Sequence, residues 1–142
     1  MTNLFLLTFP VLIETSPSTT VLLQQWKRIF LRGHIQGPAL SVTTGLIYAY
    51  AAYAKSQQGQ NWKGLAIAGA TTVSMIPYTW TVMTGTNNKL WAAATGEAKL
   101  TVGSREAQGL INRWSRLNAV RAMFPLAGGV LGLLSVLGVL KP

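Results

Sequence analysis

The chain has 142 residues, enough for one domain, and 49% of them are hydrophobic while only 11% are charged. Because a typical soluble domain has about 25% charged residues, this composition argues against an ordinary cytosolic enzyme, a disordered chain and a coiled coil. The chain has no cysteine, one histidine and three acids, so disulfides and thiolate catalysis are excluded. A carboxylate or histidine metal centre would lack ligands, and we expect no metal.

Uncharged stretches divide the chain. Four of them carry no Asp, Glu, Lys or Arg, namely residues 1–13, 35–54, 64–88 and 122–140. The last three approach or exceed the 20 or so residues that a membrane-spanning helix needs. The first is short and contains Pro10. The alternatives for it are a re-entrant segment, a span that Glu14 and Thr15 complete, and a helix whose first turns are absent from this chain; a secretory signal is disfavoured, because no basic segment precedes the apolar run.

This pattern predicts an all-α integral membrane protein, a four-helix bundle that forms a single domain over residues 1–142. The predicted spans are 1–15, 34–54, 63–86 and 116–140. Ser16 and Pro17 are typical of an N-cap and a first helical position. An amphipathic helix between the first two spans is therefore predicted over residues 17–32, with Gly33 at its end and Gly37-Pro38 at the start of the second span.

Signals for turns and close packing follow further along. A short loop is predicted from Lys55 to Lys63, where Gly59 favours a tight reversal. Pro77 and Pro125 are expected to bend the third and fourth spans. Ser104 begins a predicted helix that continues through Trp114 into the last span. Close helix packing is predicted at Gly128, Gly129 and Gly132.

The basic residues favour one side of the predicted membrane. The connections after the first and third spans carry nine Lys and Arg, against three on the opposite side. The positive-inside rule then places both connections in the cytosol. We expect an internal membrane such as the endoplasmic reticulum, with the lipid bilayer as a partner. Nucleic acid is not an expected partner, because the basic residues flank apolar spans and form no continuous recognition face.

Five polar residues fall at one membrane depth, close to the basic side: His34, Asn87, Asn88, Asn118 and Arg121. The asparagines at 87 and 88 are expected at the end of the third span. Positions 114, 118 and 121 share one face of a helix. Polar groups at a bundle edge are costly unless paired, so they are functional candidates. Headgroup anchoring by Arg121, capping by the asparagines and an interfacial belt of tryptophans are the structural alternatives.

Three segments carry a family resemblance: LLQQWKRIFLRGH, SMIPYTWTVMTGTNNKL and RWSRLNAVRAMFPLAGGVLGL. They resemble the small integral-membrane family that includes fungal anthrone oxygenases. The shared pattern is a Trp and an Arg-Gly-His, a Pro followed by Thr-Asn-Asn, and a Trp, Asn, Arg and Pro at the last span. The resemblance extends from about Pro10 to Gly132.

The resemblance implies a monooxygenase that oxidises a polyketide-derived phenolic anthrone to a quinone with O2, in secondary-metabolite biosynthesis and with no metal or flavin. Loss of a benzylic proton from such a substrate gives a delocalised carbanion that can pass an electron to oxygen. The protein must then supply a base, a cation or hydrogen bonds for the oxyanion, and a dry aromatic pocket.

Each candidate residue has an expected role. His34 is the expected base, since imidazole exchanges its proton near neutral pH. Arg121 is expected to hold the enolate or phenolate oxygen, and no base is needed if it binds a substrate that is already ionised. Asn118 is grouped with these two as catalytic. The remaining candidates are expected to bind the substrate through hydrogen bonds or ring stacking: Trp26, Arg32, Tyr78, Asn87, Asn88 and Trp114.

Two other functions compete with this one. A small proton-coupled drug exporter would need an ionisable group at mid-membrane, and Glu14 is the acid nearest to a span. A non-catalytic membrane scaffold for a biosynthetic pathway would tolerate loss of His34 and Arg121. The sequence leaves open whether identical copies assemble.

Overall fold

The structure, a computed structural model, describes residues 9–96 and 103–139. This part of the chain is helical and contains no strand, which confirms the all-α prediction. The helices are α1 (Phe9–Thr15), α2 (Thr19–Gln57), α3 (Lys63–Val73), α4 (Met75–Tyr78), α5 (Thr84–Thr95) and α6 (Ser104–Val136), with a π-helical segment at Thr79–Met83. Of the predicted first span, α1 accounts for 7 residues, and residues 1–8 lie outside the described part.

Helix α2 corrects the prediction of a separate amphipathic helix between the first two spans. It begins at Thr19 and runs without a break for 39 residues. The hydroxyl of Ser18 accepts a hydrogen bond from the backbone N–H of Val21 at 3.3 Å, so the helix starts later than the predicted N-cap at Ser16. It also continues through Gly33, because a glycine inside a helix costs only about 1 kcal/mol.

The same helix contains Pro38, which the sequence placed at a helix start. A proline disfavours a helical residue before it partly through a clash with that residue's Cβ. The residue before it is Gly37, which has no Cβ, and this removes part of the restriction. The predicted short loop is confirmed, since α2 ends at Gln57, α3 begins at Lys63 and Gly59 has a φ of +68°.

The third predicted span extends further than expected. Helices α3, α4 and α5 follow one another with only Ser74 outside the helical segments, and α5 ends at Thr95 before Gly96, whose φ is +75°. Asn87 and Asn88 therefore lie inside α5, which corrects their expected place at the end of the span. The π-helical segment begins two residues after Pro77, where the proline has removed one backbone donor.

Helix α6 confirms the predicted start at Ser104 and the continuation of the helix through Trp114 to Val136, within the last apolar stretch. Among the described residues, it is the one helix that is long and apolar enough to cross a membrane, and little of its apolar stretch is buried. A core helix of a soluble protein that passes the same test is mostly buried. The finding is consistent with membrane association.

The described chain divides into two compact units. Unit 1 comprises residues 9–35, 78–96 and 103–121. Its core brings together α2, the π-helical segment, α5 and α6, and Leu12 and Ile13 of α1 pack against it. The buried core side chains are Leu22, Leu23, Trp26, Met83, Leu90, Ala94, Ala107, Ile111 and Trp114.

Unit 2 comprises residues 36–77 and 122–139 and depends on close backbone approach. A Cβ at Gly128 would collide with the Thr72 side chain and with the Ala68 carbonyl oxygen, and one at Gly132 would collide with Tyr48. Gly129 has open space around it, so the predicted close packing is confirmed at two of the three glycines. In this described unit, Lys55 and Lys63 are the charged residues.

Candidate functional site

One face of α6 carries three of the predicted site residues. Trp114 is buried, and its Nε1 donates a hydrogen bond to Oδ1 of Asn87 at 2.8 Å. One turn further on, Nδ2 of Asn118 donates to the Trp114 carbonyl oxygen at 3.0 Å. The hydroxyl of Tyr78 donates to the neighbouring Leu117 carbonyl oxygen at 3.4 Å. The structure thus brings Tyr78, Asn87, Trp114 and Asn118 together.

Arg121 lies on the same face, seven residues after Trp114. Its side chain is 9% exposed, and it forms no ion pair or hydrogen bond with a side chain or carbonyl oxygen among the residues the structure describes. The two described acids, Glu14 and Glu106, are exposed. A buried charge is costly unless an opposite charge or hydrogen bonds compensate it. The guanidinium is therefore suited to an anionic oxygen of a ligand.

A chain of aromatic rings leads from this face to His34. Trp26 is 1% exposed and lies edge-on to Trp114, with ring centroids 5.8 Å apart. The Trp26 ring stacks on Phe30 at 5.1 Å, and Phe30 stacks on the His34 ring at 5.2 Å. Because Trp26 already packs on Phe30 and Trp114, it is part of the core of unit 1.

His34 is exposed at the outer end of this aromatic chain. Its Nδ1 lies 3.1 Å from the Phe30 carbonyl oxygen. A carbonyl oxygen only accepts hydrogen bonds, so this contact places the proton on Nδ1 and leaves the lone pair on Nε2. That tautomer presents Nε2 as a base.

The two remaining predicted site residues lie on the surface. Arg32 and Asn88 are exposed and form no ion pair or hydrogen bond with the described part of the chain.

An open groove of about 630 Å³ lies in unit 2 between α2 and α3, and none of the nine predicted site residues lines it. Within residues 9–96 and 103–139, no three His, Cys, Asp or Glu side chains are grouped to hold a metal ion.

Sequence reasoning missed Phe30, which contacts two predicted site residues, and two residues that pack beyond it. Phe30 connects His34 to Trp26, Trp91 lies 5.9 Å from the Phe30 ring, and Nζ of Lys27 lies 5.0 Å from the Trp91 ring centroid. The signal for Phe30 was present, since positions 26, 30 and 34 share one helical face at steps of four. The prediction did not use this periodicity, because the predicted helix ended at Gly33 and so did not include His34.

Comparison with known proteins identifies the family. The model of the anthrone oxygenase family matches residues 26–131. The chain is 55% identical to the monooxygenase hypC of Dothistroma septosporum, over 95% of this chain and 74% of that relative. It is 47% identical to a noranthrone monooxygenase of Aspergillus flavus, over 99% of this chain and 68% of the relative.

A third relative, the anthrone oxygenase tpcL of Aspergillus fumigatus, is 40% identical over 96% of this chain and 84% of its own length. No solved structure matches the chain. The family match extends from the buried Trp26 past Arg121 and therefore includes both ends of the aromatic and polar arrangement described above. The chain belongs to the anthrone oxygenase family.

Proposed function

We propose that this protein oxidises a polycyclic phenolic anthrone, derived from a polyketide, to the corresponding quinone with O2. Membership of the family and the names of the relatives support the reaction class. The observation that carries the site assignment is Arg121, a buried guanidinium without an anionic partner among the described residues. An ionised phenolic substrate supplies the missing negative charge.

The reaction balances without an outside reductant. The CH2 group of the anthrone loses a proton and passes one electron to O2. The carbon radical and superoxide combine to a peroxide anion, which takes back the proton to give a hydroperoxide at that carbon. Loss of water from the hydroperoxide breaks the O–O bond and gives the carbonyl of the quinone. One anthrone and one O2 thus give one quinone and one water, so the substrate itself supplies all the electrons.

In this proposal the protein contributes acid–base and electrostatic chemistry. Nε2 of His34 accepts the benzylic proton, or the substrate arrives already ionised. Arg121 stabilises the enolate oxygen in a site where low local polarity strengthens the interaction. Asn118, with an N–H beyond the one it gives to Trp114, and Asn87 offer further hydrogen bonds to the substrate oxygens.

No metal or flavin takes part in the proposed mechanism. Electron transfer from a delocalised carbanion to O2 needs no external electron carrier, and the stoichiometry above leaves no electron to be supplied by one. The prediction has a direct check, because a chelator should leave the rate unchanged and added iron should not raise it.

We further propose that the chain is a multi-pass membrane domain of an internal membrane, with its basic segments in the cytosol. The exposed apolar surface of unit 2 supports lipid contact. Leu46, Tyr50, Leu126 and Leu133 are each more than half exposed, on two different helices. The basic residues concentrate in unit 1, where eight of the described Lys and Arg lie, as the positive-inside rule expects for the cytosolic side.

The test is an assay in detergent with protein purified under anaerobic conditions. A hydroxylated anthrone and air are added, and the quinone absorbance is followed against the spontaneous oxidation. The proposal predicts a rate above that background with consumption of one O2 per quinone. A rate equal to the background in correctly folded protein would contradict it, as would activity that a chelator removes and iron restores.

A further inference from the structure

Trp26 holds a buried polar atom that the protein itself does not satisfy. The side chain is 1% exposed, and within the described residues its Nε1 is the one fully buried side-chain nitrogen or oxygen without a hydrogen-bond partner. Buried indole N–H groups usually find an acceptor. An unpaired donor in an apolar core destabilises the folded protein, so its presence at this position requires a cause.

The neighbouring indole shows how the same core satisfies such a donor. Trp114 lies edge-on to Trp26, and its own Nε1 donates to Asn87 at 2.8 Å. A phenylalanine at position 26 would retain much of the contact with Phe30 and Trp114 and would bring no unpaired N–H. The indole fills more of the core than a phenylalanine would, but it brings a hydrogen-bonding cost that a phenylalanine would not.

The position of the ring suggests what the donor binds. Trp26 contacts Trp114, and the face of α6 that carries Trp114 also carries Asn118 and Arg121 at steps of four and seven residues. Among the described residues, Arg121 also forms no ion pair or side-chain hydrogen bond. An indole N–H without an acceptor and a largely buried guanidinium thus belong to one compact unit, beside one helix face.

We propose that the Nε1–H of Trp26 donates a hydrogen bond to an oxygen atom of the bound substrate and thereby orients it. This inference rests on the proposed function. The acceptor is an aromatic carbonyl or phenolate oxygen, because an N–H donor needs an oxygen lone pair. Leu23, Met83 and Leu90 belong to the same buried core as Trp26, so water does not compete for this hydrogen bond.

The proposal changes the role that the sequence suggested for Trp26. Stacking on the substrate uses a ring face, and Phe30 already occupies a position 5.1 Å from the Trp26 ring at an interplanar angle of 20°. Hydrogen bonding uses the ring edge, where Nε1 has no partner. The two roles differ in what a replacement must preserve, which makes them separable by experiment.

The first experiment replaces Trp26 by benzothienylalanine, in which sulfur takes the place of the N–H and the shape of the ring is kept. The probe is 1,8-dihydroxyanthraquinone, which has a free carbonyl oxygen and does not react with O2. Loss of one hydrogen bond should raise its Kd about 3- to 10-fold. The same replacement at Trp91, which is half-buried in the same cluster, is the matched control and should leave the Kd unchanged.

The second experiment observes the donor directly by NMR in detergent micelles, with 15N-labelled tryptophan. The Trp26 indole signal is the one that disappears in Trp26→Phe. On addition of the quinone, the proposal predicts that the proton of this signal moves downfield, as formation of a hydrogen bond requires. The indole signal of the exposed Trp80 reports any general effect of the quinone on the micelle.

The outcomes separate the two hypotheses. If wild-type protein neither binds the quinone nor oxidises an anthrone, the proposed function fails and the assignment of Trp26 fails with it. If wild-type protein does both, while the benzothienyl replacement retains the wild-type Kd or the Trp26 signal stays in place, only the assignment of Trp26 is overturned. A raised Kd together with the downfield movement supports it.

Discussion

Replacement of Arg121 by glutamine should separate activity from stability. The guanidinium is 9% exposed and has no partner in the described part of the protein. If its function is to stabilise the oxyanion of the transition state, its loss should lower kcat by about 10²–10³, or about 2.7–4 kcal/mol. The free energy of unfolding should not fall, because the replacement removes a buried charge that no described residue compensates.

The sign of the stability change distinguishes this explanation from a structural one. Removal of one partner from a buried ion pair typically costs about 3–5 kcal/mol, so a structural Arg121 would lower stability by an amount of this size. Thermal unfolding in detergent measures the stability, and anaerobic mixing with anthrone and air measures kcat. Arg116, exposed on the same helix, provides the control, since Arg116→Gln should change neither quantity. An Arg121→Gln variant that unfolds much more easily while its activity stays within tenfold of wild type would show that Arg121 is structural and does not stabilise the oxyanion.

Three further predictions follow from contacts in the two units. His34→Ala should lower kcat by about 10²–10⁴. In a pH–rate profile this loss should become smaller as the pH rises, because hydroxide then removes the proton. An unchanged rate at neutral pH would exclude His34 as the base. Gly128→Ala should destabilise the protein in thermal unfolding by about 1–3 kcal/mol, because the added Cβ meets Thr72 and Ala68, while Gly129→Ala, with open space, should not. Asn87→Ala should cost about 1–3 kcal/mol, because it removes an acceptor of the buried Trp114 indole N–H, and a double-mutant cycle with Trp114→Phe should recover part of that loss.

The sequence was most informative where a local signal and the fold agree. The start of α6 at Ser104 and the loop with Gly59 each depend on residues within a few positions, and the structure confirms them. The continuity of α2 through Gly33 and Pro38 was not predictable in the same way. Helix growth is cooperative, so two unfavourable residues do not end a helix whose flanking turns pack well.

The candidate site shows the same division. Helical periodicity on α6 correctly related Trp114, Asn118 and Arg121, because one helix fixes both depth and direction. The relation of that face to other helices depends on how each helix is rotated about its own axis. Uncharged stretches indicate only how deep a residue lies in the membrane and do not give this rotation. This is why the edge-on contact with Trp26 and the hydrogen bond to Asn87 were not part of the prediction, although both residues were candidates.

The π-helical segment at Thr79–Met83 bears on how sequences of different length can build the same site. Tyr78 and Asn87 both reach α6, through Leu117 and Trp114. Nine α-helical steps of about 100° would place them on opposite sides of a helix, whereas eight steps leave them about 80° apart. A π-helical turn accommodates one extra residue, so it brings the nine-residue separation close to the eight-step geometry. A homologue with one residue fewer in this segment can therefore form an ordinary α-helix there and still present both side chains to the same neighbour. A one-residue gap at this point of an alignment would mark a change in helix type, with the contacts to α6 preserved.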